Sequence, residues 1–339
     1  MRKISIVIPC RNEKLYIEKC IRAIKSAFLP DDFISKIYVV DGMSDDGTRE
    51  IVQALQQEFS DVYLINNEKQ LTPFAFNLGI YAGGKVDYVQ IIGARHIISE
   101  NYLIECVRIL QEDSSIWCVG GKIINEYTSK VSKAVSLAMS TSFGMGIGNF
   151  RTLKVSGFTD TVTSPMYPYH VFEKIGFFDE VLIRNQDDDF NFRVTKASGK
   201  IYFEAGIFLK YFVRGNYKNL WRQFFQYGYW KVFVNKKHRI ITTHRQIVPP
   251  CFVIYFMLFP FVFFLGNLFG LVALMPLIIY LILNLINSYK VKTKDIEFYQ
   301  IALVFPILHL SYGFGYLRGL FDFFILNKKP SERNKQMTR

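Results

Sequence analysis

The segment that most constrains the fold is residues 37–48, with the sequence IYVVDGMSDDGT. Its first four residues are apolar and mostly β-branched or aromatic, which is typical of a buried strand. The run ends at Asp41, and Gly, Ser and Asp then predict a tight loop, with Thr48 as the N-cap of the next helix. The carboxyl ends of parallel strands face the ligand crevice of an open sheet. Asp41 and Asp46 are therefore predicted where a base or a ribose can be bound, although such acids also suit a plain turn and helix cap.

Strand and helix patterns alternate around this segment. Short apolar runs predict strands at 4–8, 37–40, 62–65 and 88–92. Helical spacing of apolar residues between these runs predicts helices at 15–27, 49–59 and 73–82. This alternation predicts an α/β domain with a parallel sheet of the dinucleotide-binding kind. No Gly-x-Gly-x-x-Gly follows the first strand, so the phosphate loop of a Rossmann dehydrogenase is missing.

The pattern becomes less regular after residue 117. Residues 143–151 are rich in glycine, but no clear strand precedes them and no Lys-Ser/Thr pair follows. They are predicted to form a flexible substrate loop rather than a P-loop. Further on, the acidic run Asp187-Asp188-Asp189 is predicted to begin a helix.

Charge is distributed unevenly along the 339 residues, which carry a formal net charge of +12. No acidic residue lies between Glu204 and Asp295, whereas Lys and Arg recur up to Arg245. Such a block indicates an anionic membrane surface, nucleic acid or a phosphate-bearing substrate. The five cysteines have no paired spacing, which favours a reduced, cytosolic setting. The first apolar run is too short for a signal peptide.

Residues 251–265 and 268–286 are free of charge and predict a transmembrane hairpin, each arm near the lower limit for crossing about 30 Å of hydrocarbon. Lysines and arginines flank both ends of the pair, which places the flanks in the cytoplasm. A third apolar segment, 299–325, is predicted as an interfacial or re-entrant helix or a third span. A buried soluble core remains the alternative for the hairpin. The basic and aromatic residues 210–245 also suit nucleic acid, but an interfacial helix is favoured before a membrane hairpin, so no nucleic-acid partner is expected.

Four motifs together resemble a family 2 glycosyltransferase of the GT-A fold, and more narrowly the ExoA-like proteins of succinoglycan biosynthesis. They are residues 9–13 (PCRNE), 41–48 (DGMSDDGT), 77–79 (NLG) and 185–193 (NQDDDFNFR). Residues 143–151, 169–180 and 226–231 fit the ExoA-like subgroup, as does the membrane-embedded C-terminus. Each motif alone is weak, but their order and spacing extend the resemblance over nearly the whole chain.

The resemblance implies a membrane-anchored enzyme at the cytoplasmic face of the membrane. It would transfer a sugar, with inversion, from a nucleotide-sugar that is expected to be a UDP-sugar. The acceptor would be a lipid-linked glycan in the synthesis of an exopolysaccharide or envelope polysaccharide. Two alternatives remain open, a polyprenyl-phosphate sugar synthase and a catalytically silent membrane-associated binding subunit.

The implied domain organisation begins with a GT-A domain, a Rossmann-like mixed sheet, over residues 1–235. Within it the nucleotide-binding half is about 1–120, the acceptor half about 121–210, and the interfacial segment about 210–245. The transmembrane hairpin follows at 248–288, the third membrane or interfacial helix at 298–326, and a basic cytoplasmic tail at 327–339.

The resemblance also implies site residues. Asp187 occupies the Asp position of the family's Glu-Asp motif, where a carboxylate takes the acceptor proton, and Gln186 stands in the Glu position. The acidic turn also suits a plain helix N-terminus. Nucleotide-sugar binding is assigned to Pro9, Asn12, Glu13, Asp41, Asp46, Asn77 and Arg95. Contact with the acceptor or its lipid phosphate is assigned to Arg151, Trp230 and Lys231.

One motif departs from the family. The Asp-x-Asp that binds a divalent metal is replaced by Gly93, Ala94 and Arg95, followed by His96. Three interpretations follow: Arg95 partly replaces the metal by pairing with the diphosphate, His96 helps to ligate Mg²⁺ or Mn²⁺, or the site is degraded. A divalent metal cofactor is therefore left open.

Overall fold

The computed structural model describes residues 1–146, 151–213, 215–242, 244–264 and 267–330. Its internal contacts divide the chain into two units. Unit 1 comprises Met1–Glu126 and Leu153–Phe212, and unit 2 comprises Tyr127–Thr152 and the chain from Val213 onward. The glycine-rich residues 147–150 of the predicted substrate loop and residues 331–339 of the predicted tail lie outside the described residues.

A mixed sheet forms the centre of unit 1. Its strands, numbered in chain order, are β1 (Arg2–Cys10), β2 (Phe33–Asp41), β3 (Val62–Asn66), β4 (Tyr88–Ile91), β5 (His96–Ile98), β6 (Ile116–Tyr127), β7 (Gly157–Phe158), β8 (Thr163–Pro168) and β9 (Lys200–Val213). They lie in the order β3-β2-β1-β4-β8-β6-β9-β5, and β7 pairs with β9. The β1–β2, β1–β4 and β2–β3 pairs are parallel, whereas β8 runs antiparallel to β4 and β6. The predicted parallel half is confirmed, and the chain adds an antiparallel half to it.

Helices cover the sheet and bury its apolar side chains, including Ile6, Ile37 and Val39, which are inaccessible to solvent. The helices of unit 1 are α1 (Ile17–Lys25), α2 (Thr48–Glu58), α3 (Thr72–Gly83), α4 (Tyr102–Glu112), α7 (Tyr169–Ile175) and α8 (Gln186–Lys196). The N-cap prediction for Thr48 is wrong, because Thr48 is the first helical residue and Gly47 precedes it with a left-handed φ of 96°. Glycine adopts that conformation without the clash that a Cβ would cause.

Unit 2 is helical. Its helices are α5 (Lys130–Met139), α6 (Ser142–Met145), α9 (Tyr217–His238), α10 (Val248–Phe264), α11 (Asn267–Val291), α12 (Phe298–Ala302) and α13 (Val304–Leu320), with a 3₁₀ turn at His244–Ile247 and a π turn at Phe321–Ile325. The predicted domain boundary near residue 235 therefore falls inside α9. The insertion that carries α5 packs its apolar face against α12 and α13, with Ala138 and Phe305 in one buried cluster.

Helices α9 and α13 pack at backbone distance. A Cβ placed on Gly315 would lie 2.0 Å from the Phe225 carbonyl oxygen, and one on Gly228 would lie 2.1 Å from that of Tyr312. Small residues at such positions allow two helix backbones to touch, as in membrane helix pairs. The predicted interfacial segment thus forms a helix whose inner side is packed against another helix.

Within the residues that the structure describes, two segments are long and apolar enough to cross a membrane, Gly270–Val291 and Phe298–Ile325. The predicted hairpin appears as α10 and α11, which pack through the stacked rings of Phe252 and Tyr280. Its first arm is apolar but shorter than the two segments named above. The third apolar segment, which the sequence left open between a span and an interfacial helix, has the length of a span.

Candidate active site

The carboxyl ends of the parallel strands meet at one edge of the sheet. In the register of the sheet Asp41 lies opposite both Cys10 of β1 and Asn66 of β3, while Val7 of β1 lies opposite Ile91 of β4. The loops that follow β1, β2 and β4 carry most of the residues assigned to nucleotide binding. Pro9 is partly buried in β1, one residue before this edge.

Asn12 fastens the loop after β1 to the loop after β2. Its Nδ2 donates to Asp45 Oδ1 at 2.9 Å, its Oδ1 accepts from the Asp45 backbone N–H at 3.1 Å, and its own N–H donates to Ser44 Oγ at 2.8 Å. Its φ of 54° lies in the left-handed region, which Asn tolerates better than most residues. Asn12 therefore shapes the edge of the site by holding two loops together.

Asp46 makes a second connection between the same loops. Its carboxylate accepts from the backbone N–H of Lys14 at 3.2 Å and of Thr48 at 3.0 Å. Partial burial would raise the pKa of Asp46, but these bonds and one from the Thr48 hydroxyl outweigh it and lower the pKa below its usual value. The Thr48 hydroxyl also accepts from the Glu13 N–H at 2.9 Å. The Asp46 carboxylate therefore already stabilises the two loops through hydrogen bonds.

Asp41 is completely buried at the end of β2. Its Oδ2 accepts from Arg49 Nη1 at 2.7 Å and from the Ser44 N–H at 2.9 Å, and its Oδ1 accepts from the Ser44 hydroxyl. Arg49 also donates through Nη2 to Asn66 Oδ1 at 2.8 Å, so it bridges the ends of β2 and β3. Neither Arg49 nor Ser44 was predicted from the sequence as part of the site. A cation in the first turn of the helix that follows a strand-ending carboxylate could have indicated Arg49.

Arg95 lies in the loop after β4 and pairs with Glu13. Its Nε donates to Glu13 Oε2 at 2.6 Å, and its guanidinium lies 4.7 Å from the centre of the Tyr16 ring. The Glu13 side chain is nearly buried and that of Arg95 is 19% exposed. Among the described residues the terminal nitrogens of Arg95 have no hydrogen-bond partner, so they can receive an anion.

His96 is fixed beside Gly93. Its Nδ1 lies 2.7 Å from Ser164 Oγ and 3.3 Å from the Gly93 nitrogen, and its ring packs edge-on against Tyr211. Within the described part of the chain, no group of three or more His, Cys, Asp or Glu side chains is placed to hold a metal ion. Residues 93–96 themselves carry no carboxylate or cysteine side chain.

The three carboxylates at the start of α8 differ in their surroundings. Asp189 is completely buried and accepts from Arg193 Nε at 3.0 Å. Arg193 also donates to the carbonyl oxygens of Ile175 and Phe177, so Asp189 serves the structure. Asp188 is partly buried, whereas Asp187 is exposed to solvent. Of the three, Asp187 is the one that a substrate can approach directly.

Strand β8 connects the loop after β4 with α8. Ser164 at its start contacts His96, and the Tyr167 hydroxyl donates to Asn191 Oδ1 of α8 at 3.3 Å. Burial, the Cys118 thiol and the charge of Asp187 raise the pKa of Tyr167. Asp187 therefore lies close enough to this strand for its charge to act on the tyrosine.

Asn77 of α3 orders the segment that leads to α8. Its Nδ2 donates to the Phe178 carbonyl oxygen and to Glu180 Oε1, both at 2.9 Å, and its Oδ1 accepts from the Phe178 N–H at 3.0 Å. Because these bonds occupy both ends of the amide, Asn77 positions the segment before α8. Direct contact with a nucleotide-sugar stays a prediction for this residue.

The residues assigned to the acceptor all belong to unit 2. Trp230 is completely buried and packs against Tyr229, Phe233 and Phe323, so its burial does not support contact with an acceptor. Lys231 is also buried, and Arg151 is partly buried. An aromatic residue beside a lysine looks the same in a helix core and at an interface, so contact of these residues with an acceptor stays a prediction.

Comparison with known proteins gives a consistent result. The profile of Glycosyl transferase family 2 matches residues 5–176, just over half of the chain. This region contains both loops held by Asn12, the Arg95 loop and Asn77, and it ends before α8.

Two characterised proteins are similar over most of their length. A Methanococcus voltae protein named dolichyl N-acetyl-alpha-D-glucosaminyl phosphate 3-beta-D-2,3-diacetamido-2,3-dideoxy-beta-D-glucuronosyltransferase is 27% identical over 329 residues, covering 94% of this chain and 98% of that protein. Succinoglycan biosynthesis protein ExoA of Rhizobium meliloti is 28% identical over 248 residues, covering 72% and 73%.

Among solved structures, mannosyltransferase PcManGT from Pyrobaculum calidifontis, in complex with GDP-Man and Mn²⁺, superposes with a TM-score of 0.63. The sequences are 15% identical, and the match covers 95% of this chain and 87% of that enzyme. This likeness supports the predicted GT-A fold.

Proposed function

Because this chain belongs to glycosyl transferase family 2, we propose that it transfers a sugar, with inversion, from a nucleotide-sugar to a lipid-linked glycan. The observation that carries the acceptor class is the similarity to the Methanococcus voltae enzyme over nearly the full length of both chains, because that enzyme's name specifies a dolichyl phosphate-linked sugar as its acceptor. Similarity to the succinoglycan protein supports a product in exopolysaccharide or envelope polysaccharide synthesis. A UDP-sugar is the proposed donor.

In this proposal Asp187 is the general base. An inverting transfer needs one carboxylate that removes the acceptor hydroxyl's proton as that oxygen attacks the anomeric carbon. Asp187 is exposed, whereas Asp189 is consumed by its pair with Arg193. The nucleoside diphosphate leaves from the opposite side of the anomeric carbon, and its negative charge therefore moves away from Asp187.

The nucleoside is proposed to bind at the strand-end loops. Rotation of the Ser44 hydroxyl away from Asp41 would expose a carboxylate oxygen to a base N–H or a ribose hydroxyl. Arg49 would keep the carboxylate oriented during this exchange, because its bond to Oδ2 does not involve the released oxygen. A hydrogen bond to a charged group contributes about 1.5–3 kcal/mol to the binding free energy.

Arg95 is proposed to bind the donor diphosphate. Its guanidinium carries a positive charge and two terminal nitrogens without a hydrogen-bond partner among the described residues, a geometry that suits two phosphate oxygens. The Pyrobaculum enzyme was solved with Mn²⁺, so a divalent metal carried by the diphosphate is the alternative for this position. Of residues 93–96, only His96 offers a side-chain ligand for such a metal.

The chain is further proposed to act at the cytoplasmic face of a membrane. Support comes from the two apolar segments of membrane-spanning length and from the lysines that flank them, Lys290, Lys292 and Lys294 among them. Basic flanks favour the cytoplasmic side.

The proposed function is tested by a donor screen with the full chain in detergent. UDP-, GDP- and dTDP-sugars are each incubated with a polyprenyl-phosphate-linked sugar, with a polyprenyl-diphosphate-linked sugar or with polyprenyl phosphate, and products are identified by mass. Transfer to the lipid-linked sugar supports the proposal. Transfer to the lipid phosphate alone would identify a polyprenyl-phosphate sugar synthase, and inactivity with every pair would contradict the proposed function.

Asp41→Asn is expected to weaken nucleoside diphosphate binding by about 1.5–3 kcal/mol, because the charged acceptor becomes a neutral amide. Asn is preferred to Ala because truncation would leave Arg49 beside an empty buried space. Calorimetry measures the affinity, and thermal unfolding without nucleotide reports the cost of breaking the buried pair. The control Glu50→Gln makes the same charge change on an exposed side chain in the first turn of α2. Equal affinities for both variants would remove Asp41 from the nucleotide site.

A further inference from the structure

The carboxyl end of α13 combines exposed cations with exposed apolar side chains. The cations are Arg318, Lys328 and Lys329, and the apolar residues are Phe321, Phe324 and Ile325. These six residues are called the α13 rim below. The end of α9 contacts the same end of α13, because Lys236 Nζ donates to the Phe323 carbonyl oxygen and to Asn327 Oδ1.

A single buried carboxylate organises the cations of the rim. Asp322 is the one acidic residue between positions 298 and 330, and its side chain is 7% exposed. Its Oδ2 accepts from Arg318 Nε at 3.0 Å and from the Tyr229 hydroxyl at 3.2 Å, and its Oδ1 accepts from Lys328 Nζ at 3.0 Å. Two cations are therefore held on either side of one anion, and the local charge stays positive.

The cations of the rim keep donors for a ligand. Arg318 uses only Nε in its bond to Asp322, and its terminal nitrogens have no hydrogen-bond partner in the part of the chain described. The Arg318 and Lys328 side chains are 54% and 47% exposed. Donors of this kind, with aromatic and aliphatic side chains beside them, match the boundary between lipid headgroups and acyl chains.

We propose that the α13 rim binds the phosphate of an anionic phospholipid headgroup, with Phe321, Phe324 and Ile325 inserted among the acyl chains. Arg318 and Lys328 contact the phosphate, and Asp322 is the positioning residue that keeps them together. Charge complementarity favours this occupant, since an acidic protein surface would leave the apolar residues of the rim uncovered. The site is independent of the sugar transfer proposed above.

The test is lipid retention by the full chain in neutral detergent, with equimolar phosphatidylglycerol and phosphatidylcholine, counted by native mass spectrometry. Wild type is expected to retain phosphatidylglycerol preferentially. Each basic residue near an anionic surface strengthens binding to that surface about fivefold. The triple variant Arg318→Gln, Lys328→Gln, Lys329→Gln should therefore lose at least roughly fivefold of this preference. The matched control Lys290→Gln, Lys292→Gln, Lys294→Gln removes the same charge from the last turn of α11 and the segment that follows it, and should retain the preference.

The variant Asp322→Asn distinguishes a specific phosphate site from attraction of anionic lipid by the net charge of the protein. It raises the net charge by one, so attraction by net charge alone predicts more bound phosphatidylglycerol. The proposal predicts less, because Arg318 and Lys328 lose the group that holds them. More phosphatidylglycerol on a folded Asp322→Asn variant, or equal losses in the two triple variants, would overturn the proposal. If Asp322→Asn fails to fold, the two triple variants decide the question.

Discussion

Asp187→Asn is expected to lower turnover by a factor on the order of 10² to 10⁴, the range for a lost general base, while nucleoside diphosphate affinity changes little. The amide cannot take the acceptor's proton, but it keeps the shape of the carboxylate at the start of α8. Turnover is measured with the best donor from the screen, and nucleotide affinity by calorimetry on the same preparation.

Asp188→Asn is the matched control for this variant. It removes one charge from the same helical turn, at a side chain that is partly buried. Any loss of helix-dipole stabilisation is therefore common to both variants and appears as a similar shift in unfolding temperature. Comparable turnover in the two variants would exclude Asp187 as the base.

Arg95→Ala is expected to reduce turnover by about 10² to 10³, the cost of removing one donor that stabilises developing charge, and to weaken donor binding as well. Arg95→Lys should recover only part, because an ammonium lacks the planar fork. Lys19→Gln, on an exposed side chain of α1, is the control for loss of one positive charge.

Two further measurements isolate the role of Arg95. Because Arg95→Ala also leaves the nearly buried Glu13 without its cation, the double variant Glu13→Gln, Arg95→Ala is compared with the single one. Recovery of activity in the double variant would assign the loss to the broken ion pair with Glu13. Wild type is also assayed in EDTA with and without added Mg²⁺ or Mn²⁺. Complete loss in EDTA, restored by metal, would contradict the replacement of metal by arginine.

The local part of the site could be predicted from the sequence. Residues 37–48 contain a strand, a strand-ending acid and a loop in one continuous segment, so their pattern is local and β2 and α2 follow from it. The pair between Asp41 and Arg49 was missed, because whether a helix side chain turns back to the strand depends on the loop conformation. The bond from Arg49 to Asn66 also depends on the position of β3, which no local pattern reveals.

The division of the chain into two units was equally hidden. Residues 127–152 belong with helices that follow some 160 positions later, as in the ion pair of Lys133 with Asp295. Strand β9 was also missed, since Tyr202, Phe208 and Phe212 on its less buried face obscure the alternation of apolar and polar residues in the sequence. In each case the contacts that decide the structure are distant in sequence.

The backbone contact between α9 and α13 has a consequence for biogenesis. A ribosome completes α9 before it begins the two apolar helices, and α13 follows only afterwards. At 5–20 residues per second, the interval from the end of α9 to the end of α13 is on the order of 4 to 16 seconds. During this time the aromatic side of α9, with Trp230 and Tyr229, lacks its covering helix. Insertion of the apolar hairpin must therefore precede final packing, and a nascent chain stalled before residue 304 should bind chaperones through α9.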